Sequence, residues 1–311
     1  MKDVSVEIRG CNSKAELIEV VDLCDAAFPK TPREYFERHV LKDKTLDEKD
    51  TRVLLIDGKI VSSVQVFPRT IYVQKEKIKI GGIGNVATLP TERGKGYAGL
   101  LIKDSLDYII KKGYTLSMLT TSINSYYEKF GFQTILRTIA NINCNEGKNH
   151  KEISQFDKTN DLKNIINIYN GFNSGKIGTI VRDEKYWLSQ FEFSGEDKDL
   201  FLIYESKGEA MGFIRAQRKD NYITILEYAF NNNNTLVFAK LIEELSYMTD
   251  INEFKLFLTK EEEENINRRF SFSLKDEKDF MICFLGNSLS MKIKNELLKD
   301  RNLNFWQSDF F

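Results

Sequence analysis

The chain has 311 residues, of which 41% are hydrophobic and 29% charged, a composition typical of a globular protein with about two domains. Its 45 lysines and arginines oppose 46 aspartates and glutamates, and the net charge of −1 gives no support to binding of nucleic acid or of an anionic membrane surface. The amino terminus lacks the apolar core of a signal peptide, and no apolar run is long enough to span a bilayer, so we expect a cytoplasmic protein.

The first elements that the sequence predicts are a strand, two helices and a hairpin. Ser13 is a good N-cap for the first helix, and Pro32 suits the start of the second. His39 falls on the apolar face of that second helix, so we interpret it as a packed side chain and not as a catalytic one. Asp57-Gly58 is typical of a two-residue hairpin turn. The predicted elements are a strand at 4–9, helices at 13–28 and from 32 to 41, and strands at 52–56 and 60–72.

A glycine-rich turn between the next strand and helix is the most informative stretch of the chain. The strand, at 77–89, stops at Pro90, which has no N–H for the ladder, and the helix begins within Arg93-Gly-Lys-Gly96 and runs to about Lys112. Backbone N–H groups with no side chain in front of them, at the positive end of a helix dipole, form an anion site. The glycines let a diphosphate approach, and the two cations add charged donors. A tight turn with no ligand is the simpler alternative.

Two other phosphate-binding motifs fit this stretch less well. Gly94 to Gly99 formally reads G-x-G-x-x-G, but in a dinucleotide fold the first glycine directly follows the strand, whereas Pro90 to Arg93 intervene here. The acidic residue expected about 20 residues further on is also missing. No Walker sequence G-x-x-x-x-G-K-[ST] occurs anywhere in the chain.

The following elements complete two motifs that resemble a known family. A strand at 114–121, a short helix at 122–130 and a strand at 132–143 are predicted. Val86-Ala-Thr-Leu-Pro90 with Arg93-Gly-Lys-Gly-Tyr-Ala98 resembles the R-x-x-G-x-G/A coenzyme A signature of the GCN5-related N-acetyltransferases (GNAT). Tyr126-Tyr-Glu-Lys-Phe-Gly-Phe132 resembles the Y-x-x-x-G-F segment of the same family, and the element order extends the resemblance over the first 145 residues.

The resemblance implies an α/β fold with a mixed, mostly antiparallel sheet flanked by helices, and it implies acetyl-CoA as cosubstrate. The pantetheine and the acetyl group would lie along the strand that ends at Thr88, and the pyrophosphate would lie on the amides of Gly94 through Gly99. The implied cofactor-binding residues are Val86, Ala87, Thr88, Arg93, Gly94, Lys95, Gly96, Tyr97, Ala98 and Gly99, with Ser122 and Ile123 on the other side.

Tyr127 is the residue to which the resemblance gives a catalytic role. A phenol with a pKa near about 10 can donate to a leaving thiolate whose parent thiol has a pKa near about 8.5, taking cysteine as the guide. Tyr126 competes for the role, since adjacent residues of a helix point about 100° apart, and a core aromatic is the alternative for Tyr127. The acceptor amine would attack directly in a ternary complex. Its base is left open among water, a cleft carboxylate and the terminal carboxylate of Phe311.

The cysteines and histidines suggest neither a metal site nor a covalent intermediate. Cys11, Cys24, Cys144 and Cys283 are scattered without C-x-x-C spacing, and only two histidines are available to join them. We therefore predict structural free thiols and no metal. A Cys–His nucleophile has no local signature in the sequence, so an acetylated enzyme is not expected.

The second half repeats the element order of the first at a spacing of about 140–150 residues. Asn231-Asn-Asn-Asn234 replaces the glycine turn, and Asn267 stands where Tyr127 would fall. We therefore predict a catalytic GNAT domain at 1–145, a degenerate GNAT-like domain at 146–287 that shapes the acceptor cleft, and a tail at 288–311. The predicted elements are helices at 161–171, 182–191, 235–248 and 260–269, and strands at 200–204, 210–217, 222–230, 254–259 and 280–285.

This tandem arrangement resembles the first two domains of the enhanced-intracellular-survival type acetyltransferases, which modify aminoglycosides. Those proteins carry a third, sterol-carrier-like domain, for which the roughly 25 residues after the second repeat are too few, so we do not carry the drug substrate over. The expected activity is transfer of an acetyl group to a primary amine of a small molecule or peptide. The alternative is a non-catalytic acyl-CoA-binding or regulatory module. Neither the acceptor nor the oligomeric state is predicted.

Overall fold

The computed structural model describes residues 5–194, 199–231, 234–266, 269–286 and 288–310. Within these ranges, 13 strands form one mixed sheet with helices packed on its faces. The first half consists of β1 (Val6–Gly10), α1 (Lys14–Ala27), α2 (Arg33–Glu37), β2 (Thr51–Ile56), β3 (Lys59–Val73), β4 (Glu76–Thr88), α3 (Tyr97–Lys111), β5 (Leu116–Thr120), α4 (Asn124–Glu128) and β6 (Gln133–Asn143).

The second half follows with a similar order of elements, and a last helix precedes the end of the chain. It consists of β7 (Ile153–Gln155), α5 (Lys158–Asn173), β8 (Ile177–Ile180), α6 (Glu184–Ser194), β9 (Leu200–Ser206), β10 (Glu209–Arg218), β11 (Ile223–Phe230), α7 (Thr235–Thr249), β12 (Glu253–Phe257), α8 (Lys260–Ile266), β13 (Ser271–Phe284) and α9 (Met291–Leu298).

Local chemistry explains where the first elements begin and turn. The Ser13 hydroxyl accepts the Glu16 N–H at 3.3 Å and caps α1. Asp57 and Gly58 both have positive φ, 49° and 80°, as the two-residue turn between β2 and β3 requires. The chain after α2 widens into a π-helical turn at Arg38–Lys42, which carries His39 on its buried side. The N-cap at Ser13 and the hairpin turn at Asp57-Gly58 confirm the sequence predictions.

The sheet runs β1-β2-β3-β4-β5-β13-β6-β12-β11-β10-β9-β7, with β8 against β3. Two neighbouring pairs are parallel, β4 with β5 and β11 with β12, and the other pairs are antiparallel. The fold class predicted from the sequence, a mixed and mostly antiparallel sheet flanked by helices, is confirmed.

The two halves exchange their last strands at the middle of the sheet. β13, from the second half, pairs with β5 of the first, for example Phe280 with Thr120. β6, from the first half, pairs with β12 of the second, for example Asn143 with Glu253. β13 and β6 also pair with each other. The sheet is therefore continuous across residue 145, and the domain boundaries proposed there stay a prediction about sequence repeats.

α3 lies directly on β4, and the contact depends on a glycine. The apolar stripe of the helix, Leu101, Ile102 and Ile109 among others, is buried in one core with Ile83. A Cβ at Gly81 would lie 2.5 Å from the Cγ1 atom of Ile109, so only glycine permits this close approach.

The structure corrects three details of the predicted elements. β13 begins at Ser271 and not at residue 280, since its polar first half pairs along β6. The prediction missed this half because its residues alternate poorly between apolar and polar. A helix to residue 269 was predicted, whereas Arg269 is in a turn; residues 267 and 268, after the last described residue of α8, lie outside those described. β7, β8 and α9 were not predicted, since their runs of 3, 4 and 8 residues are too short for a clear period.

Candidate active site

A split between β4 and β5 forms the centre of the candidate site. The two strands are parallel and pair from Ile80 with Leu116 to Gly82 with Met118. Pairing ends there, so the residues that follow on each strand diverge and leave a space between them. The backbone groups along this space are not used by the ladder and are available to a ligand.

A β-bulge in β4 lies at the start of the split. Ser63 pairs with Ala87 and Gln65 with Gly84, so Asn85 and Val86 together stand opposite one residue of β3. Asn85 has a φ of 47°, a left-handed conformation that asparagine tolerates better than most residues. Its amide donates to Gln65 Oε1 at 2.7 Å, and Gln65 donates to the backbone oxygen of His39 at 2.9 Å. The bulge is thus tied to the turn after α2.

A cavity of about 620 Å³ occupies the split. It extends from α4 to the α1–α2 connection, so residues far apart in the sequence meet in it. Of the sequence-predicted residues, Val86, Ser122, Ile123 and Tyr127 line it. The remaining lining residues are Phe28, Thr31, Tyr35, Phe36, Ile83, Gly84, Asn85, Leu119, Thr120 and Thr121.

The glycine turn adjoins the amino end of α3. Gly94 and Gly96 have φ values of 80° and 85°, which favour glycine, and a Cβ at either position would meet open space. Gly96 is the N-cap of α3, without a side-chain capping bond. The first N–H groups of the helix therefore lie behind a surface free of side chains, which suits an anion.

The two cations of the turn are engaged within the chain. Arg93 Nη2 donates to the backbone oxygen of Ala27 at 2.8 Å, at the end of α1. Lys95 Nζ donates to Glu92 Oε2, also at 2.8 Å. Arg93 thus fastens the turn to α1, a positioning contact that sequence reasoning did not predict. The hydrogen-bond donors that remain free for an anion are therefore mainly the backbone N–H groups of the turn, and not these two side chains.

Tyr127 is buried against the cavity. Its ring makes edge contacts with Tyr126 and Phe132, at centroid distances of 5.1 and 6.0 Å. Burial raises the pKa of Tyr127 to about 12, so its hydroxyl stays protonated at neutral pH. Tyr126 does not belong to the cavity lining; its ring packs on Phe130, and Lys129 lies over it at 4.0 Å. The structure therefore separates the two tyrosines, as the 100° helical offset predicts.

Of the predicted cofactor residues, those of the glycine turn and two of the three on β4, Ala87 and Thr88, lie outside the cavity lining. Ala87 is buried in the core formed with α1 and α2. The Thr88 hydroxyl is 2.8 Å from the Ser62 hydroxyl, next to the bond from Ser62 to the Ala87 oxygen. Sequence reasoning missed the aromatic residues of α1 and α2 as part of the site. The only signal was their apolar periodicity, which does not distinguish a cavity wall from a core.

The corresponding split of the second half is filled by protein. β11 and β12 pair only at Ile223–Phe254 and Thr224–Lys255. Beyond that point residues 300–310, the terminal segment, bridge the two strands. Trp306 contacts Tyr228 of β11 edge to face, with centroids 5.0 Å apart, and Phe310 packs on Phe257 of β12. The Trp306 indole also donates to Asn173 Oδ1 at 2.9 Å.

A buried ionic network holds the terminal segment in place. Arg182 lies 2.6 Å from Glu227 Oε2 and 2.7 Å from Asp309 Oδ2, and the Tyr186 hydroxyl donates to Asp309 at 2.8 Å. All of these side chains are buried, and burial raises the pKa of Glu227. Removing one member would leave a buried charge uncompensated, which is strongly destabilising.

Several predicted features fall on residues outside those described. Asn267, two of the asparagines at 231–234, and Phe311 with its carboxylate lie there. Of the asparagine run, Asn234 caps α7 by accepting the Leu236 N–H at 3.2 Å. A role for the Phe311 carboxylate as base stays a prediction.

The four cysteines are buried free thiols. Burial raises the pKa of Cys11 and of Cys24 to about 12 and that of Cys283 to about 11, so these thiols are protonated at neutral pH. Across the described ranges no group of three or more histidine, cysteine, aspartate or glutamate side chains is placed to hold a metal ion. Nor is any helix in those ranges long and apolar enough to cross a membrane.

Comparison with known proteins gives a family match for the first half. Residues 7–135 match a family model described as an acetyltransferase (GNAT) domain, a range that contains the split, the glycine turn and Tyr127. A search of curated proteins finds no match.

Solved structures similar to this chain cover nearly all of it. A probable N-acyltransferase of unknown function from Enterococcus faecalis has a TM-score of 0.71 at 20% identity, over 91% of this chain and 73% of that one. Eis1 from Mycobacterium abscessus has a TM-score of 0.66 at 14% identity, over 90% and 74%. Saccharomyces cerevisiae N-myristoyltransferase with bound myristoyl-CoA has a TM-score of 0.63 at 12% identity, over 96% and 84%. At these identities the likeness concerns the fold alone.

Proposed function

We propose that this protein transfers an acetyl group from acetyl-CoA to a primary amine, on the basis of the match of residues 7–135 to an acetyltransferase (GNAT) domain model. The observation that carries the proposal is the cavity in the split between β4 and β5, which is lined by Tyr127; the glycine turn at the start of α3 is the second supporting feature. A strand split, a backbone anion site and a protonated phenol are the parts that acyl transfer from a thioester needs.

In this proposal acyl-CoA lies between the two strands, with its pyrophosphate on the amides of Gly94 through Gly99. The left-handed glycines and the open surface in front of them support this placement. The acyl group and pantetheine would follow Val86, Ala87 and Thr88 on one side and Ser122 and Ile123 on the other. N-myristoyltransferase, which has the same general fold, binds myristoyl-CoA, and this supports an acyl-CoA donor.

The proposed reaction is direct attack in a ternary complex. The neutral amine nitrogen attacks the thioester carbonyl carbon, a C–N bond forms, and the oxyanion is held by backbone N–H groups near Val86 at the bulge. The C–S bond then breaks, and the amine proton passes to a base through water. The buried, protonated cysteines give no support to an acyl-enzyme intermediate.

Tyr127 would stabilise the departing sulfur. Its pKa of about 12 lies roughly 3.5 units above that of a typical thiol near 8.5, so complete proton transfer to the thiolate is uphill. A hydrogen bond donated to sulfur as negative charge develops does not need complete transfer. We therefore assign Tyr127 the role of donor in the transition state, with solvent completing the protonation.

The second half would serve the first without binding acyl-CoA. Its own split is occupied by the terminal segment, with Trp306 between β11 and the Asn173 side chain. One acyl-CoA per chain is therefore proposed. The alternative is a non-catalytic acyl-CoA-binding module, which would not need the hydroxyl of Tyr127 at the cavity. A cytoplasmic location stays a prediction of the sequence alone.

The test is coenzyme A release, followed with a thiol reagent, from acetyl-CoA and a panel of primary amines. With an amine that supports turnover, Tyr127→Phe should lower kcat by roughly 10²-fold or more while acetyl-CoA affinity, measured by calorimetry, is retained. Tyr126→Phe is the matched control and should be much milder.

Three results would contradict the proposal in different ways. Full turnover by Tyr127→Phe would remove the role of the phenol. Acyl-CoA binding without release of coenzyme A to any amine would favour the binding module. Two equivalent acyl-CoA sites per chain would contradict the filled split of the second half.

A further inference from the structure

We infer that the acceptor is a monoamine whose body beside the amino group is apolar, such as an alkylamine or an arylalkylamine, and that polyamines and polycationic amino sugars are poor acceptors. The inference rests on the proposed function and names the substrate class of the same site. It follows from three properties of the cavity in the split: the absence of charged side chains among its described lining residues, the aromatic side chains along one wall, and the ion pairs next to that wall.

The cavity has no fixed charge among its described lining residues. Its 14 residues include no aspartate, glutamate, lysine, arginine or histidine. The titratable groups are the two tyrosines, Tyr35 and Tyr127, and burial raises the pKa of both. A second ammonium group brought into such a space would lose its hydration without gaining a counter-charge, which is costly.

The wall on the α1–α2 side is aromatic. Phe28 and Phe36 stack with centroids 5.7 Å apart, and Tyr35 meets Phe36 edge to face at 5.3 Å. Phe28 is 37% exposed, so an apolar group of this wall also forms part of the cavity's accessible surface. Apolar surface left open in this way is stabilised by an apolar ligand.

The acids of α1 and α2 that adjoin the cavity in sequence are bound to arginines. Glu34 receives Arg38 at 2.9 Å, and Glu37 receives Arg33, also at 2.9 Å. Arg33 further contacts Asp22 at 2.7 Å. These pairs are exposed and individually weak, and because Arg33 is shared by Asp22, Asp25 and Glu37 they only partly offset the negative charge of α1 and α2. These carboxylates lie outside the cavity lining, which itself contains none.

The polar groups that do line the cavity suit a neutral amine. Asn85, Thr120 and Thr121 provide amide and hydroxyl groups on the strand side, opposite the aromatic wall. Such groups hydrogen-bond an uncharged amino group, which is the form that attacks a thioester. An amine with its nitrogen at the strands and its apolar body at the wall satisfies both sides.

The experiment compares kcat/KM for coenzyme A release along a series of n-alkylamines, 2-phenylethylamine, a diamine series of the same lengths, spermidine and kanamycin. Each added methylene of an alkylamine should raise kcat/KM by about two- to fourfold until the cavity is full. A diamine should fall at least about tenfold below the alkylamine of equal length.

Variants test whether the cavity charge sets this order. Thr31→Asp places a carboxylate in the lining and should reduce the alkylamine-to-diamine preference about tenfold or more. Ile18→Asp, on the exposed side of α1 outside the cavity, adds the same charge to the surface and should leave the preference unchanged. Thermal unfolding confirms that both variants are folded, and the preference is a ratio within each variant.

The outcomes separate this inference from the proposed function. Turnover ordered toward spermidine or kanamycin would overturn the inference and leave the acetyltransferase intact. A preference for longer acyl-CoA donors with no effect of amine length would assign the apolar cavity to the acyl chain and also overturn it. No release with any amine would overturn both.

Discussion

Burial sets the protonation state of the side chains around the split. His39 stacks on Tyr35 at 4.1 Å and lies 5.7 Å from Phe193, and its Nδ1 donates to the Tyr35 backbone oxygen at 2.8 Å. Burial is the largest effect and lowers the pKa of His39; the backbone bond to Tyr35 is the next largest and opposes it, while Arg38 and Arg69 lower the pKa and Asp43 raises it. The folded protein therefore holds a neutral imidazole beneath the site.

The free energy of unfolding should fall as the pH drops below about 6.5. In the unfolded state the histidine has a pKa of about 6.5 and binds a proton that His39 does not bind in the folded state. The free energy of unfolding therefore falls by up to about 1.4 kcal/mol for each pH unit. His39→Gln, which keeps an N–H donor for Tyr35, should flatten this dependence between about pH 6.5 and 5 in urea titrations.

His150→Gln is the control for this experiment, since that histidine is only partly buried, beside Glu243 in the second half. An unchanged slope in His39→Gln would show that His39 is protonated in the folded state.

The residues of the site were predictable to different degrees. The glycine turn and Tyr127 stand in local motifs whose spacing is visible in the sequence, and their positions in the structure match that expectation. The bond from Arg93 to Ala27 joins residues 66 positions apart, and no local pattern announces such a contact. The aromatic wall was hidden for a similar reason, because apolar periodicity looks the same for a core and for a cavity.

At the scale of elements, the long periodic segments were predictable and the short or polar ones were not. α3 and β4 were found because their apolar residues recur over 15 and 13 residues. The first half of β13, Ser271 to Asp279, is mostly exposed and polar, and only its pairing with β6 makes it a strand. Tertiary context decides such segments.

Gly81→Ala should destabilise the contact between α3 and β4. The new methyl group would lie 2.5 Å from Ile109 Cγ1, and overpacking of this kind costs about 1–3 kcal/mol. The midpoint of urea denaturation should fall accordingly, and acyl-CoA affinity should weaken, because α3 carries the amides of the anion site.

Two companion variants make this measurement decisive. Gly171→Ala in α5 meets no atom within 4 Å and should be neutral or stabilising by up to about 1 kcal/mol. Ile109→Ala combined with Gly81→Ala should cost less than the sum of the two single changes. Strict additivity would show that the glycine is not required by the helix contact.

At the scale of the whole molecule, the internal repeat predicted two similar halves but not their exchange of strands. Hydrophobic periodicity predicts β6 and the last part of β13. Neither pattern indicates which neighbouring strand each of them will pair with. β13 lies between β5 and β6, and β6 lies between β13 and β12. Each half therefore completes its sheet with a strand made by the other.

A fragment of residues 1–145 should not fold into a stable acyl-CoA-binding domain. Without residues 271–284, β5 loses the partner that covers Leu116 through Thr120, and the edge of the sheet becomes unpaired. Amide hydrogen exchange should show little protection in β5 of this fragment. Adding residues 146–311 in trans should restore protection and acyl-CoA binding.

Removal of residues 1–5 from the full chain is the control, because Ser5, the one of these residues that the structure describes, bonds to the sheet region through its backbone at Asp57. Stable folding and acyl-CoA binding by the isolated fragment would contradict this account.

The strand exchange also fixes when the site can exist during synthesis. Thr120 and its partner Phe280 are 160 positions apart, and at about 5–20 residues per second the ribosome needs roughly 8–30 s to make the chain between them. Throughout that interval the nascent chain has the glycine turn and Tyr127 but no cover for β5. Nearly all of the chain must therefore emerge before the split is complete, and β5 is the segment that a chaperone would have to shield.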